Sequence, residues 1–287
     1  MAHRLPRFLL YPLAALVPVL GLLAGLGTAA SASTHPAAPA TARAAALAKA
    51  AIRQLVIGQH ATNHIVSPPV RGVNGQTQVQ STNWSGYADT GTSFSKVTAS
   101  WTEPSATCSS RTESLAAFWV GIDGYSSGSV EQDGTLIECY QRHAYQYTWW
   151  EMYPTNAIQV VGSSAAAGDH ITASVVRSGA SYALSVTDST HSANSFTTTQ
   201  ACSGCANTSA EWIAEAPSGS SGVLPLAQFS TWTDASSTVT QGGTSGVISS
   251  FTDDEITMIN SSRAVKAQPG ALNSSGNGFS VTWERAS

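Results

Sequence analysis

The stretch Val97-Thr98-Ala99-Ser100-Trp101-Thr102 alternates apolar and polar side chains residue by residue. Because successive side chains of an extended strand point to opposite faces, this period of two predicts a strand with one buried face. The pattern recurs in residues 171–176, 182–187 and 279–283, and turn-forming Gly, Ser and Asn separate the runs. No long stretch has the 3.6-residue period of a helix. The sequence therefore predicts an all-β, antiparallel β-sandwich.

Charge divides the 287 residues into two regions. Six Lys or Arg and no acid precede Asp89, whereas all 17 acidic residues and the other seven Lys or Arg lie from there onward. The second region lacks the basic surface that binding to nucleic acid requires. All eight Trp lie after residue 83, which argues against disorder in that part of the chain.

The N-terminus is typical of an export signal. Arg4 and Arg7 precede an almost wholly apolar run over residues 8–27, and Ala30-Ser31-Ala32 is a small-residue cleavage pattern. We predict a signal peptide over residues 1–32, cleaved after Ala32. The alternative is an uncleaved anchor, since the run is long enough to span a bilayer. Cleavage predicts a secreted, extracellular protein with no further contact with a membrane.

Residues 33–78 are rich in Ala and then polar, and they contain four Lys or Arg but no acid. One interpretation is a flexible spacer. The other is a removable basic prosegment that covers the acidic domain, which opposite charge favours. We expect residues 33–78 to be this prosegment or linker and residues 79–287 to form the β-sandwich domain.

Four cysteines in an exported chain indicate two disulfides, with three possible pairings. We favour Cys108–Cys139 and Cys202–Cys205. A zinc site or redox pair at Cys202 and Cys205 is the alternative, but neither a suitably spaced His nor a thioredoxin-like βαβ context supports it.

Two motifs resemble catalytic signatures without their structural context. Asp89-Thr90-Gly91 resembles half of a pepsin-type site, but no second copy supplies the other carboxylate. Gly124-Tyr125-Ser126-Ser127-Gly128 fits the nucleophile elbow, which has meaning only between a strand and a helix of an α/β sheet. We interpret both as turns, and His170 and His191 as surface residues near turns.

Carboxylates and one amide form a more informative pattern. On strands, Trp149, Glu151 and Tyr153 would share one face, as would Glu211, Ile213 and Glu215. In Val130-Glu131-Gln132-Asp133-Gly134, the amide of Gln132 would point away from both neighbouring acids.

With five blocks in order, the chain resembles the eqolisin, or G1, family of secreted glutamic peptidases over about residues 80–287. The blocks are Asn83 to Tyr87, Phe118 to Gly124, Val130 to Gly134, Trp149 to Pro154 and Ala210 to Ile213. The resemblance implies two bent antiparallel sheets with a concave substrate cleft. It implies Gln132 and Glu211 as the catalytic residues, and a substrate-binding or supporting role for Trp119, Asp123, Trp149 and Glu151.

The chain departs from the family pattern near the site. Leu136 stands where relatives commonly have an acid, Tyr147 where some have another, and Asp133 replaces the usual Thr. These differences affect the hydrogen bonds around the site, whereas Gln132 and Glu211 themselves are present.

The chemistry fits these residue types. An ionised Glu211 can take a proton from the attacking water and return it to the leaving amine, while Gln132 donates an N–H to the oxyanion. We therefore expect an acid endopeptidase that acts on proteins or peptides as a monomer. We expect no metal or organic cofactor, and acid to loosen the basic prosegment and trigger self-cleavage.

Two other classes of protein remain open from the sequence. A glycoside hydrolase on a similar sandwich would use Glu151 and Glu211, with side chains about 5 Å apart if it retained configuration. A non-catalytic carbohydrate-binding module would instead present exposed aromatic residues and would lose no activity on Glu211→Gln.

Overall fold

The computed structural model describes residues 64–71, 77–109 and 111–287. The predicted signal peptide and most of the predicted prosegment lie outside these residues. Within them, the only helices are two 3-10 turns, Ser192–Asn194 and Ile248–Ser250, and none is long and apolar enough to cross a membrane.

The described residues form 21 strands. They are β1 (Val70–Arg71), β2 (Thr77–Ser81), β3 (Trp84–Thr90), β4 (Phe94–Thr102), β5 (Ala106–Thr107), β6 (Ser114–Ile122), β7 (Val130–Tyr140), β8 (His143–Tyr153), β9 (Asn156–Gly162), β10 (His170–Ser178), β11 (Ser181–Asp188), β12 (Phe196–Ala201), β13 (Ser209–Glu215), β14 (Ser218–Gly219), β15 (Gly222–Val223), β16 (Gln228–Phe229), β17 (Trp232–Gln241), β18 (Thr244–Gly246), β19 (Asp253–Ile259), β20 (Val265–Pro269) and β21 (Phe279–Trp283).

The strands pack as two layers, which confirms the predicted all-β sandwich. The first sheet runs β9-β8-β7-β6-β13-β3-β19-β2-β1, with β20 and β21 continuing from β19. The second sheet runs β12-β11-β10-β4-β17-β18, and β17 also pairs with β21 of the first sheet. Pairing is antiparallel except between β2 and β19.

The alternation seen in the sequence decides which faces meet. In β4, Val97, Ala99 and Trp101 are buried, whereas Thr98 and Ser100 are only partly buried on the outer face. The inward side chains join a core between the sheets in which Phe118 contacts Phe229 and Trp232, with ring centroids 5.1 and 5.4 Å apart. Burying this apolar surface is the main stabilising contribution to the sandwich.

Strands β6, β7 and β13 do not alternate, because both of their faces are buried. A second apolar cluster covers the face that points away from the other sheet, and it contains Trp84, Trp119 and Trp149. Ile65, Tyr125, Tyr145 and Leu224 pack against it from loops and neighbouring segments. We call this face the outer face of the first sheet, and it carries the candidate site.

Candidate active site

Three of the predicted site residues and one glycine lie on one line across the outer face. Glu211 of β13 is opposite Gly121 of β6, Gly121 is opposite Gln132 of β7, and Gln132 is opposite Glu151 of β8. Because directly opposed residues point to the same side of a sheet, their side chains share this face. We call Glu211, Gly121, Gln132 and Glu151 the site row.

Gly121 leaves a gap in the middle of the row. A Cβ at this position would lie 2.8 Å from the Trp119 ring and 3.3 Å from the Gln132 Cβ. Neighbouring strands are about 4.8 Å apart, so the backbones of Glu211 and Gln132 are about 10 Å apart across the glycine. Glu211 and Gln132 therefore lie on either side of a position without a side chain, which the edge of the Trp119 ring overlies, and we call this position the gap at Gly121.

Glu211 is fully buried, and neither carboxyl oxygen makes a well-formed hydrogen bond. Burial raises the pKa of Glu211 well above its usual range, and the charges of Asp123, Glu131 and Asp89 raise it further, while the Ser209 hydroxyl lowers it in part. A buried acid without firm partners is costly for a merely structural role and is common at functional sites.

Gln132 is held by a hydrogen bond on the side away from Glu211. Its Nε2 donates to Glu151 Oε2 at 2.7 Å, and both residues are fully buried. Burial raises the pKa of Glu151 well above its usual range, whereas the hydrogen bond from Gln132 lowers it. This bond orients the amide of Gln132 on the outer face.

An aromatic row lies next to the site row. Ile213, Trp119, Gly134 and Trp149 are opposed across β13, β6, β7 and β8. A Cβ at Gly134 would come within 2.0 Å of the Phe118 carbonyl, so only glycine fits beneath the large rings. The two predicted tryptophans thus line the face directly beside Gln132 and Glu211.

Glu215 fixes the orientation of Trp119. The indole Nε1 donates to Glu215 Oε2 at 2.9 Å, and Asn83 Nδ2 donates to Glu215 Oε1 at 3.1 Å. The ring of Trp84 packs edge-on against Trp119, with centroids 4.9 Å apart. Neither Glu215 nor Asn83 was predicted as a site residue. Glu215 could have been, because the sequence places it on the same strand face as Glu211.

Asp123 lies outside the site row and holds the backbone next to it. Its carboxylate accepts hydrogen bonds from the backbone N–H groups of Asn207 and Thr208 at 2.7 and 2.8 Å, and from the Thr208 hydroxyl at 3.0 Å. Asp123 has a φ of 68°, a conformation that Asp tolerates better than most residues. These bonds fix the segment that enters β13 three residues before Glu211.

The three residues that depart from the family pattern all lie outside the site row. Leu136 and Tyr147 are opposed on the outer face, one row beyond Trp149, and the Tyr147 hydroxyl donates to Glu138 Oε2 at 3.2 Å. Asp133 points to the other side, into the core, where burial raises its pKa well above its usual range. The site row itself contains none of these three residues.

The remaining motifs do not join the site row. Asp89 is the second-last residue of β3, and residues 124–128 belong to the loop between β6 and β7, as their turn composition predicts. His170 and His191 are exposed, although His191 Nδ1 contacts Asp169 Oδ1 at 2.8 Å. The structure joins Cys108 to Cys139 and Cys202 to Cys205, the pairing that the sequence favoured.

Two groups of residues have the spacing of metal ligands, but their atoms are otherwise engaged. Cys202 and Cys205, grouped with Glu131, are bonded to each other. In the other group, both oxygens of Asp188 accept hydrogen bonds within their own loop, and those of Asp169 accept from the Ala166 N–H and from His191, the third member of the group. Neither arrangement therefore indicates a metal centre.

A glycosidase pair is not supported by the layout. Glu151 and Glu211 are separated by two strands, about 14 Å of backbone, and Gln132 lies between them. A retaining pair needs its carboxyl groups about 5 Å apart with a sugar between them. The aromatic residues of this face are buried, unlike the exposed platform of a carbohydrate-binding module.

Comparison with known proteins places this layout in a family. The model of the peptidase A4 family matches residues 82–282. Aspergillopepsin-2 from Aspergillus niger is 26% identical over 194 residues, covering 60% of this chain and 69% of that protein.

Two solved structures share the fold. Scytalido-glutamic peptidase, solved with a peptide-based transition state analog, superimposes with a TM-score of 0.60 at 23% identity, covering 71% of this chain and 98% of the other. SCP-B, an eqolisin in complex with the tripeptide Ala-Ile-His, gives a TM-score of 0.57 at 22% identity over the same shares of both chains. Because the family model spans well over half of the chain, the protein belongs to the peptidase A4 family and is a glutamic endopeptidase of the eqolisin type.

Proposed function

We propose that the protein is a secreted acid endopeptidase in which Glu211 is the general base and acid and Gln132 stabilises the oxyanion. The observation that carries the proposal is the site row. In it the carboxyl group of Glu211 and the amide of Gln132 lie on either side of the gap at Gly121. A scissile carbonyl and one water fit the chemistry of that gap, because each would have a partner on its own side.

The reaction then follows from the two side chains. Glu211 takes a proton from the water as its oxygen attacks the carbonyl carbon, and negative charge develops on the carbonyl oxygen. Gln132 donates an N–H to that oxygen while Glu151 holds the amide in place. The proton on Glu211 passes to the amine nitrogen as the C–N bond breaks. Losing one such oxyanion donor typically lowers kcat by about 10²–10³-fold.

The closed state of the structure sets a condition on this chemistry. With Glu211 buried and its pKa raised, the carboxyl group is protonated in acid and is no base. Water and substrate must therefore enter the gap and rehydrate the carboxylate before it can ionise near pH 4, its ordinary range. We propose that the described conformation is the resting, covered form of the enzyme.

The start of the described chain helps to cover the site, in keeping with a prosegment over residues 33–78. His64 is buried, and its ring contacts Trp84, with centroids 4.1 Å apart. Ile65 packs against the aromatic cluster of the outer face. Strand β1 pairs with β2 at the edge of the same sheet.

Both ring nitrogens of His64 are in hydrogen-bond contact with the rest of the sheet region. Nδ1 lies 3.0 Å from the Ser81 hydroxyl oxygen, which accepts the backbone N–H groups of Asn83 and Trp84 and donates its hydrogen to Asn83 Oδ1 at 3.3 Å. His64 Nε2 donates to the Gly124 carbonyl at 3.4 Å.

The proposed release of the prosegment in acid rests on charge. Protonating the carboxylates of the acidic domain weakens their attraction to the Lys and Arg of residues 33–78.

The test is protein hydrolysis at pH 3–4 and pH 7 by wild type and by Glu211→Gln and Gln132→Ala. Exposed residues give matched controls of the same chemistry, Glu284→Gln and Gln228→Ala. We expect hydrolysis in acid only, resistance to inhibitors of pepsin-type carboxylate pairs, and loss in the two site variants alone. Full activity in both site variants would refute the assignment, and a processed wild type that cleaves only polysaccharide would revive the glycosidase.

A further inference from the structure

The site row continues on the far side of Glu211. Glu211 is opposite Ala88 of β3, and Ala88 is opposite Asp254 of β19. Asp254 therefore lies on the same face, two strands or about 10 Å from Glu211, in the direction away from Gln132. A single methyl group separates the two acids along the row, much as Gly121 separates Glu211 from Gln132.

Tyr125 reaches Asp254 from the loop that follows β6. Its hydroxyl donates to Asp254 Oδ2 at 2.5 Å, and its partly buried ring packs against the outer-face cluster that contains Trp84 and Ala88. The hydrogen bond joins residues 129 positions apart in the sequence. It therefore ties the loop to strand β19.

The loop is also held where it leaves β6. Asp123 is bonded to the backbone at Asn207 and Thr208, and the Gly124 N–H donates to Ser127 Oγ at 3.0 Å. The bonds of Asp123 and, two residues later, of Tyr125 therefore fix the first part of the loop near the start of β13, where Glu211 lies.

We propose that Tyr125, tethered by Asp254, is a positioning residue that forms the wall of the cleft beside Glu211 and shields that carboxyl group from bulk water. The proposal rests on Glu211 being the general base. The wall closes the side of Glu211 that faces away from Gln132, so a scissile peptide can reach the base only through the gap at Gly121.

Electrostatics are consistent with this placement. Burial raises the pKa of Tyr125, the bond to Asp254 raises it further, and the charge of Glu211 also contributes. Burial also raises the pKa of Asp254, while its bonds from Tyr125 and Thr77 lower it. The acids whose charges influence Glu211 are Asp123, Glu131 and Asp89.

Cutting the tether should change how strongly Glu211 is desolvated. A more hydrated Glu211 ionises more readily, so the acidic limb of kcat/KM, below which the base is protonated, moves to lower pH. A group with a lower pKa is also a weaker base, so the plateau of kcat falls. A residue that merely stabilised the fold would lower activity or Tm without moving this limb.

The experiment compares the pH profiles of Tyr125→Phe, Asp254→Ala and Asp254→Asn with wild type on a fluorogenic peptide. Tyr125→Phe keeps the ring and removes only the tether, whereas Asp254→Asn keeps an oxygen that accepts the Tyr125 hydroxyl. We expect the first two variants to move the acidic limb down by about 0.5–1 pH unit. Their kcat should fall about tenfold, with KM changed less than threefold. Asp254→Asn should have the pH profile and kcat of the wild type. Tyr140→Phe is the matched control, because it removes a tyrosine hydroxyl outside the site row.

Thermal unfolding of each variant separates folding defects from effects on Glu211. If Tyr125→Phe keeps the wild-type acidic limb and kcat, the proposal is overturned. If Asp254→Asn shifts the profile as far as Asp254→Ala, the charge of Asp254 is responsible and the tether is refuted. Failure of the proposed function gives a different result, because Glu211→Gln would then retain activity whatever Tyr125→Phe does.

Discussion

The substitution Gly121→Ala probes the gap in the site row with one methyl group. Its Cβ would lie 2.8 Å from Cζ3 of Trp119 and 3.3 Å from the Gln132 Cβ and the Glu131 carbonyl oxygen. The Trp119 ring is fully buried and held by Glu215, so it cannot swing away at low cost. Either the ring or the amide of Gln132 must move by several tenths of an ångström.

Two magnitudes follow from this crowding. Overpacking by one methyl group typically costs about 1–3 kcal/mol of stability. For a domain of about 200 residues, each kcal/mol lowers Tm by roughly 2–4 °C. Catalysis should suffer more, because displacing a catalytic group by about 1 Å lowers the rate by about 10²-fold. We expect a folded enzyme with kcat/KM lower than wild type by up to about 10²-fold.

The assay pairs peptide hydrolysis at acid pH with urea unfolding. Gly128→Ala is the matched control, because a Cβ at Gly128 meets no atom within 4 Å. The control should keep wild-type activity and stability. A stable Gly121→Ala enzyme with full kcat/KM would show that the gap is not where the peptide binds, and the reasoning from the site row would fail.

Three further outcomes are expected. Replacing Cys108 and Cys139 by Ser should lower the free energy of unfolding by about 3–4 kcal/mol, since the bond closes a 31-residue separation, and a smaller loss than 1 kcal/mol in urea unfolding would contradict this. Burial raises the pKa values of Asp89 and Glu131 to about 9, so both favour the fold fully in acid and lose that contribution as pH rises from about 4 to about 9. Tm should therefore fall over that range, and Asp89→Asn should flatten the curve, whereas a Tm that rises toward pH 9 would refute the assignment. The precursor should lose its prosegment by self-cleavage at pH 3–4, as followed by gel electrophoresis, and a precursor that stays uncleaved there while the processed enzyme is active would exclude acid-triggered self-cleavage.

The fold was predictable because its signal is local. Burial follows the alternation of Val97, Ala99 and Trp101 residue by residue, since a strand covered on one face needs only that pattern. Strands β6, β7 and β13 are covered on both faces, so their sequences show no clean period and were identified only as blocks similar to a family.

The candidate site was predictable in part. Gln132 pointing away from Glu131 and Asp133 follows from strand geometry alone, and the register confirms it. The pairing of Gln132 with Glu151, 19 residues away, depends on the hairpin of β7 and β8.

Other contacts of the site had no local signal. The bonds from Trp119 to Glu215 and from Tyr125 to Asp254 cross 96 and 129 residues, and no periodicity encodes a partner at such separations. The composition of residues 124–128 correctly predicted a turn. It gave no sign that Tyr125 would bind Asp254.

By itself the sequence determined the all-β class, the alternating strands and the acidic domain, because each depends on residue type or on spacing within one strand, whereas the candidate catalytic residues came from the resemblance to a family. Only the tertiary structure decided that Glu211, Gly121, Gln132 and Glu151 share one row and that Asp254 extends it. The physical reason is register: hydrogen bonding between distant strands sets which residues are opposite, and a shift of one residue would turn every side chain of a strand to the other face.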